Sequence, residues 1–205
     1  SNGNAMVKCH AGCSTEDVLA AIGLAPRDLF RTQPDVPQPT GRVESLEQLA
    51  RLRRWDPDAL IALGARSSGS EVRFPMRDAA GGQTGIKIRM GDGSKVLVKS
   101  TGKYTKSKSQ GRLGLMYPDP LPHVGTVLVV EGEADACSAL SAGATCVVAV
   151  PGASATQTFL MLQRLVTGRD VCIAPDRGDA GIGMLKAIGR ALADAQCAVR
   201  FIPAD

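Results

Sequence analysis

The sequence predicts an α/β chain, with a parallel sheet flanked by helices in its C-terminal part and a smaller basic α+β part before it. Three observations carry this. Four apolar runs of strand length, 126–130 (TVLVV), 146–150 (CVVAV), 170–174 (DVCIA) and 198–202 (AVRFI), alternate with helical patterns at about 134–142, 154–166 and 180–195. Continuous apolar runs belong to strands buried on both faces, which means a parallel sheet covered by helices. Residues 71–117 instead alternate apolar and charged side chains between glycine turns, the mark of half-buried strands. Charge also divides along the chain. Residues 1–122 hold 18 Lys/Arg and 12 Asp/Glu, whereas residues 123–205 hold 6 and 8.

The elements follow in order. Residues 1–5, ahead of Met6, read as a tag remnant. Residues 6–30 hold Cys9-His10-Ala11-Gly12-Cys13 and then a short helical pattern, with Ser14 as N-cap, Asp17 three residues on, and Val18, Leu19 and Ile22 as the apolar stripe. Residues 31–42 carry three prolines and no periodicity, so they read as a linker. A basic α+β region spans 43–122. It opens with two short helices over 45–63: Leu46, Leu49, Ala50 and Leu52 recur at helical spacing, and Asp56-Pro57 starts the second. Val72 and Phe74, Ile86 and Ile88, and Val96 to Val98 mark strands, with Gly81-Gly82 and Gly91-Asp92-Gly93 as turns. The Lys/Ser/Gly-rich stretch from Lys99 to Arg112 reads as a flexible cationic loop. Residues 123–205 form the parallel α/β domain.

Composition excludes several classes. Hydrophobic residues make up 44% and charged residues 21% of 205, enough for a core and too apolar for wholesale disorder. The six cysteines lack framework spacing. Cys137, Cys146, Cys172 and Cys197 lie in apolar segments and read as buried core residues, which fits a reducing, cytoplasmic setting. No run of about 18 apolar residues predicts a membrane span, and no N-terminal stretch resembles a signal peptide.

Chemistry is expected beyond the C-terminal ends of the parallel strands. There the chain reads Glu131-Gly132-Glu133-Ala134-Asp135, Pro151-Gly152-Ala153-Ser154 and Pro175-Asp176-Arg177-Gly178-Asp179-Ala180-Gly181. Carboxylates at successive strand ends, without His or Cys, suit a hard cation, Mg²⁺ or Mn²⁺. Such an ion neutralises charge in phosphoryl transfer. The competing reading makes Glu131 and Asp176 helix caps. Between residues 81 and 116 there are 8 basic residues and 1 acidic, a surface suited to a polyanion.

These C-terminal motifs resemble the TOPRIM domain of primases, topoisomerases and some nucleases, over about 123–205. Phe74-Pro75-Met76-Arg77-Asp78, Gly85-Ile86-Lys87-Ile88-Arg89 and Gly114-Leu115-Met116-Tyr117 are similar to the basic subdomain of phage primase–helicases. Cys9, His10 and Cys13 resemble the second half of a zinc ribbon. The resemblance implies a TOPRIM primase of phage or mobile-element type with a ribbon remnant. It implies Glu131 as acid/base or metal-organising group, Asp135 as its support, and Asp176 as a metal ligand. Lys87 and Arg89 would face nucleotide or template phosphates. Lys99, Lys103, Lys106, Lys108 and Arg112 extend that surface on charge grounds.

Two departures stand out. The family pattern Asp-x-Asp-x-Ala-Gly places its second aspartate at Gly178, and Asp179 comes one residue later. Asp179 is therefore a candidate catalytic and metal residue only if the turn adjusts. Three ribbon ligands are too few for a structural zinc, so Zn²⁺ is not expected. The leading expectation is an enzyme making RNA primers on single-stranded DNA from ribonucleoside triphosphates with Mg²⁺ or Mn²⁺. The sequence carries no P-loop, which leaves two readings: a replicative helicase as a separate partner, or this chain as a fragment of something longer. A single-stranded-DNA-binding protein that does not polymerise, and a TOPRIM nuclease, stand as alternatives.

Overall fold

A computed structural model describes residues 14, 45–98, 102–151, 156–193 and 195–202. The ribbon-like residues Cys9, His10 and Cys13, the linker, Lys99 and most of the 151–154 turn lie outside the described residues. Chain contacts divide at Arg42, and everything described except Ser14 belongs to Val43–Asp205.

The first elements are helices α1 (Ser45–Arg53) and α2 (Pro57–Ala62). The Asp56 side chain caps α2 by accepting a hydrogen bond from the Asp58 amide at 2.9 Å, and Pro57 fits the first turn, where no donor is needed. Leu49, Ala50, Ala59 and Leu60 are buried, whereas Leu52 points to solvent. Trp55 packs between the helical pair and the C-terminal domain, donating its Nε1–H to Ser138 Oγ at 3.0 Å.

A four-stranded antiparallel sheet follows, in the order β1-β2-β3-β6, from β1 (Arg66–Ser68), β2 (Glu71–Arg77), β3 (Gln83–Met90) and β6 (Lys108–Gly111). A ribbon of β4 (Val96–Val98) and β5 (Lys103–Thr105) lies between β3 and β6 in sequence. The stretch expected as a loop thus contains two strands. Its polar side chains hid this because ladder bonds use only backbone groups, and an edge strand favours lysine over apolar residues. Gly111, at φ 82°, pairs with Gly85, where a Cβ would strike the carbonyl oxygens of Gln110 and Arg112.

Strand β2 alternates strictly between half-buried and buried positions, with Val72, Phe74 and Met76 inward. Directly paired residues share a face of the sheet. Register pairs Val72 with Arg89 and Phe74 with Lys87, so both cations lie on the inner face. Lys108 pairs with Ile88 and lies on the outer face, 3.6 Å from Glu71, which also binds Arg73 at 2.8 Å.

The C-terminal sheet is parallel, in the order β10-β9-β7-β8, from β7 (Val127–Glu131), β8 (Val147–Val150), β9 (Val171–Ala174) and β10 (Val199–Phe201). Helix α3 (Gly132–Ser141) follows β7, α4 (Thr156–Val166) follows β8, and α5 (Asp179–Leu192) follows β9. The expected α/β architecture is therefore present, with boundaries within a few residues of the apolar runs. Val129, Val148, Val150 and Ile173 pack with Phe159, Leu162, Met184 and Ile188 of α4 and α5. Val130, Val147 and Ala149 pack on the other face with Ala136 and Cys137 of α3, and with Leu49, Leu60, Phe74 and Met76. Leu115 pairs with Arg77, and Met116 with Ala149 in both directions at 3.0 and 2.8 Å, so one short segment joins the two sheets. Cys137 and Cys146 are buried, but Cys172 and Cys197 are only partly so, because both lie toward the sheet's β9–β10 margin.

No helix among the described residues is long and apolar enough to cross a membrane.

Candidate active site

Glu131 ends β7 and Asp176 follows β9, adjacent strands of the parallel sheet. Both side chains therefore emerge at the C-terminal edge, where ligands of such sheets bind. Neither caps a helix. Glu131 occupies the N-cap position of α3 but makes no side-chain cap bond, and the N-cap of α5 is Gly178. The capping alternative raised by the sequence thus loses its support, and the two carboxylates remain available for ligands.

Glu131 Oε2 is buried and has no hydrogen-bond partner among the described residues. Most buried polar atoms are paired, so such an orphan calls for a ligand or a chemical role. Burial first, then the Asp176 charge, pushes the Glu131 carboxyl above the usual carboxylate range. Asp135, one helical turn further along α3, is pushed up to about 6 by burial and then by the charges of Asp176, Glu133 and Glu131, with Arg89 opposing. Four carboxylates thus share one electrostatic neighbourhood. Asp179 stands exposed at the first position of α5 and is not among the charges that raise Asp135.

Gly178 has φ 92° and ψ −175°, a region open almost only to glycine. The backbone itself, and not only the missing carboxylate, departs from the expected motif there. Gly181 has a different task. A Cβ at that position would overlap the Asp176 carbonyl oxygen, so the glycine lets α5 close over the loop that carries Asp176.

Among the described residues, no three His, Cys, Asp or Glu side chains converge closely enough to hold a metal ion by themselves. The donor set still fits Mg²⁺ or Mn²⁺. Mg²⁺ is usually held by one or two carboxylates plus water and substrate phosphate, not by a complete protein cage. The orphan oxygen of Glu131 and the mutual repulsion of the carboxylates are what a cation would relieve.

The cations divide. Lys87 is half-buried on the inner sheet face. Arg89 is 8% exposed, and its Nε donates to Glu133 Oε1 at 2.5 Å. It is therefore not the open phosphate contact that the resemblance implied, because its guanidinium is committed to Glu133. Lys108 sits on the outer face, paired with Glu71. Lys103 and Lys106 are exposed on and beside β5. Arg112 lines a cleft of about 500 Å³ with Arg164, Thr84 and Met161. Glu133, 2% exposed, is the residue that sequence reasoning passed over. Its one signal was being one of two acids in the first turn of a helix that needed only one.

Comparisons with known proteins agree with this geometry. Residues 128–205 match the family model described as Toprim-like. No curated protein matches the chain. Among solved structures, the chain is similar to the zinc-binding and RNA polymerase domains of the Aquifex aeolicus primase, at 19% identity and TM-score 0.56, covering 80% of this chain and 50% of that one. It is also similar to the DnaG catalytic core, at 18% identity and TM-score 0.53, covering 82% and 67%. A third likeness is to the primase fragment of the bacteriophage T7 primase–helicase protein, at 17% identity and TM-score 0.50, covering 75% and 64%. The chain spans half the length of the Aquifex protein. At these identities the likeness shows the fold.

Proposed function

We propose that the chain is a primase-type nucleotidyltransferase that joins ribonucleotides on single-stranded DNA with Mg²⁺ or Mn²⁺, in phage or mobile-element replication. One observation carries the reading: the buried Glu131 Oε2 at the end of β7, without a partner among the described residues and beside carboxylates that raise its and Asp135's proton affinity. The Toprim-like match and the primase fragments of similar fold support it.

In this reading Glu131 takes the proton of the primer 3′-hydroxyl as that oxygen attacks the α-phosphate and pyrophosphate leaves. Its raised proton affinity suits a general base. Asp135 holds the local charge that favours transfer, and Asp176 completes the carboxylate edge. A divalent cation held by Glu131 and Asp176, and by Asp179 if its turn adjusts, would neutralise phosphate charge there. Lys87 on the inner sheet face contacts nucleotide or template phosphates, and Lys103, Lys106 and Arg112 extend the cationic surface.

A second reading has its own observation. Gly178 leaves the motif without a carboxylate at its second position, and Asp179 is not among the charges that raise Asp135, which favours a protein that binds single-stranded DNA without polymerising. Primer synthesis on mixed-sequence single-stranded DNA with labelled ribonucleotides, with and without Mg²⁺ or Mn²⁺, decides between them. Metal-dependent short RNA, lost in Glu131→Ala and Asp176→Ala, is expected. Activity retained in both variants would reject the carboxylate site. No product with DNA binding intact supports the second reading, and a cut template supports a nuclease.

A further inference from the structure

The Arg89–Glu133 pair is the one charged contact described between β3 and the helix that carries the carboxylates. Its side chains are 10% and 3% exposed, and the Nε–Oε1 distance is 2.5 Å. The partners are 44 residues apart in sequence. Arg89 projects from the inner face of β3, opposite Val72. Glu133 lies two residues after Glu131 and two before Asp135, in the first turn of α3. On that helix Glu133, Ala136 and Cys137 form one buried stripe at i, i+3 and i+4.

Stability alone does not explain this pair. The cost of stripping water from two charges about equals or exceeds their attraction, and apolar residues of similar volume commonly do as well. Apolar neighbours on both elements are already packed there, with Val72, Ala136 and Cys137 all fully buried. What a buried pair adds over apolar packing is direction, because a short charge-assisted hydrogen bond fixes distance and angle where apolar contacts slide. The pair is also neutral as a unit. It acts on Asp135 with opposite signs, Glu133 raising its proton affinity and Arg89 lowering it. It can therefore lock the turn without changing the net charge of the site.

We propose that Arg89 and Glu133 form a positioning strut that fixes the Glu131–Asp135 turn against the basic sheet, so that the carboxylates and the cationic face keep one spacing. Neither is a catalytic residue, and their effect on chemistry rests on the nucleotidyltransferase reading above. Mutating groups that orient metal-binding residues typically costs 10–100-fold in metal affinity or activity.

The test uses the full chain as Arg89→Met, Glu133→Gln and the double variant Arg89→Met/Glu133→Met. The double variant removes both charges and keeps the volume, so it guards against simple unfolding, and its melting curve reports that directly. Three readouts are taken. Amide hydrogen exchange over residues 131–136 should accelerate at least about tenfold in the double variant, with β7 and β9 unchanged. Mn²⁺ affinity, by titration with Mn²⁺ alone, should fall about 10–100-fold. In primer synthesis kcat should fall by a similar factor while KM for DNA holds within about twofold, a split that general loosening of the fold would not give. Wild-type exchange protection and Mn²⁺ affinity in a folded double variant would overturn the strut. If the unaltered chain takes up no Mn²⁺ and makes no primer, the proposed function falls, and the exchange readout still judges the strut by itself.

Discussion

Replacing Asp135 by Asn should make the protein more stable at neutral pH and less active. Asp135 takes up a proton at about 6 in the folded chain, against an ordinary value of 3.8, because burial and three neighbouring carboxylates disfavour its charge. The native state therefore binds more protons than the unfolded state between those two values. Stability falls as pH rises through that window and stays at its reduced level above it. A gap of about two units sets a ceiling of roughly 3 kcal/mol. Asp135 is partly exposed, and solvent screening brings the expected gain down to about 1–2 kcal/mol. For a fold of this size that is a rise in Tm of about 2–8 °C. Asparagine carries no charge, so the gain should be full at about pH 7.5, roughly half as large at about pH 5 and absent below 3.8. Thermal melts of both proteins across this range measure it. Mg²⁺ added to the unaltered chain should close part of the gap, because a cation offsets the same repulsion. Equal Tm values at pH 7.5, or a gain that ignores pH, would refute the crowded-carboxylate account.

Gly181→Ala should destabilise the fold by about 1–3 kcal/mol and abolish activity, since the new methyl displaces the Asp176 backbone. Gly183→Ala, with open space at its Cβ, should instead be neutral or stabilising by about 0.4–1 kcal/mol, and the pair of melts checks the contrast. Gly178→Asp restores the family motif in letters but not in geometry, and should cost about 1–3 kcal/mol without raising activity. Lys87→Ala should weaken single-stranded DNA binding and flatten its log–log salt slope by roughly 0.7, whereas Lys108→Ala, on the opposite face, should leave the slope unchanged.

The parallel sheet was legible because burial on both faces leaves one kind of side chain, so TVLVV and CVVAV announce strands without help from context. Glu131 and Asp176 were legible for a related reason, since topology puts strand ends and ligands together. Strands β5 and β6 were not, because their pairing rests on backbone bonds while their side chains read as a solvated loop. The pairing of Arg89 with Glu133 was not legible either, because it joins residues 44 apart in sequence. Alternation along β3 separates two faces, but only the pairing with Val72 tells which face is inside. Glu133 was missed because an acid in a first helical turn has an ordinary explanation in the helix dipole. Its burial depends on a strand more than forty residues away.

The short segment through Leu115 and Met116 bears on how such a chain could be exchanged between genes. A joint cut at residue 122 would carry off the parallel sheet with the β8 edge stripped of its Met116 pairing, and with Val130, Val147 and Ala149 covered by α3 alone, without Leu49, Leu60, Phe74 and Met76. An open edge beside an apolar face invites pairing with other chains. The unit that could be inherited intact therefore runs from the α1 helix to β10. Within it, the basic half and the acidic half must change partners together or not at all.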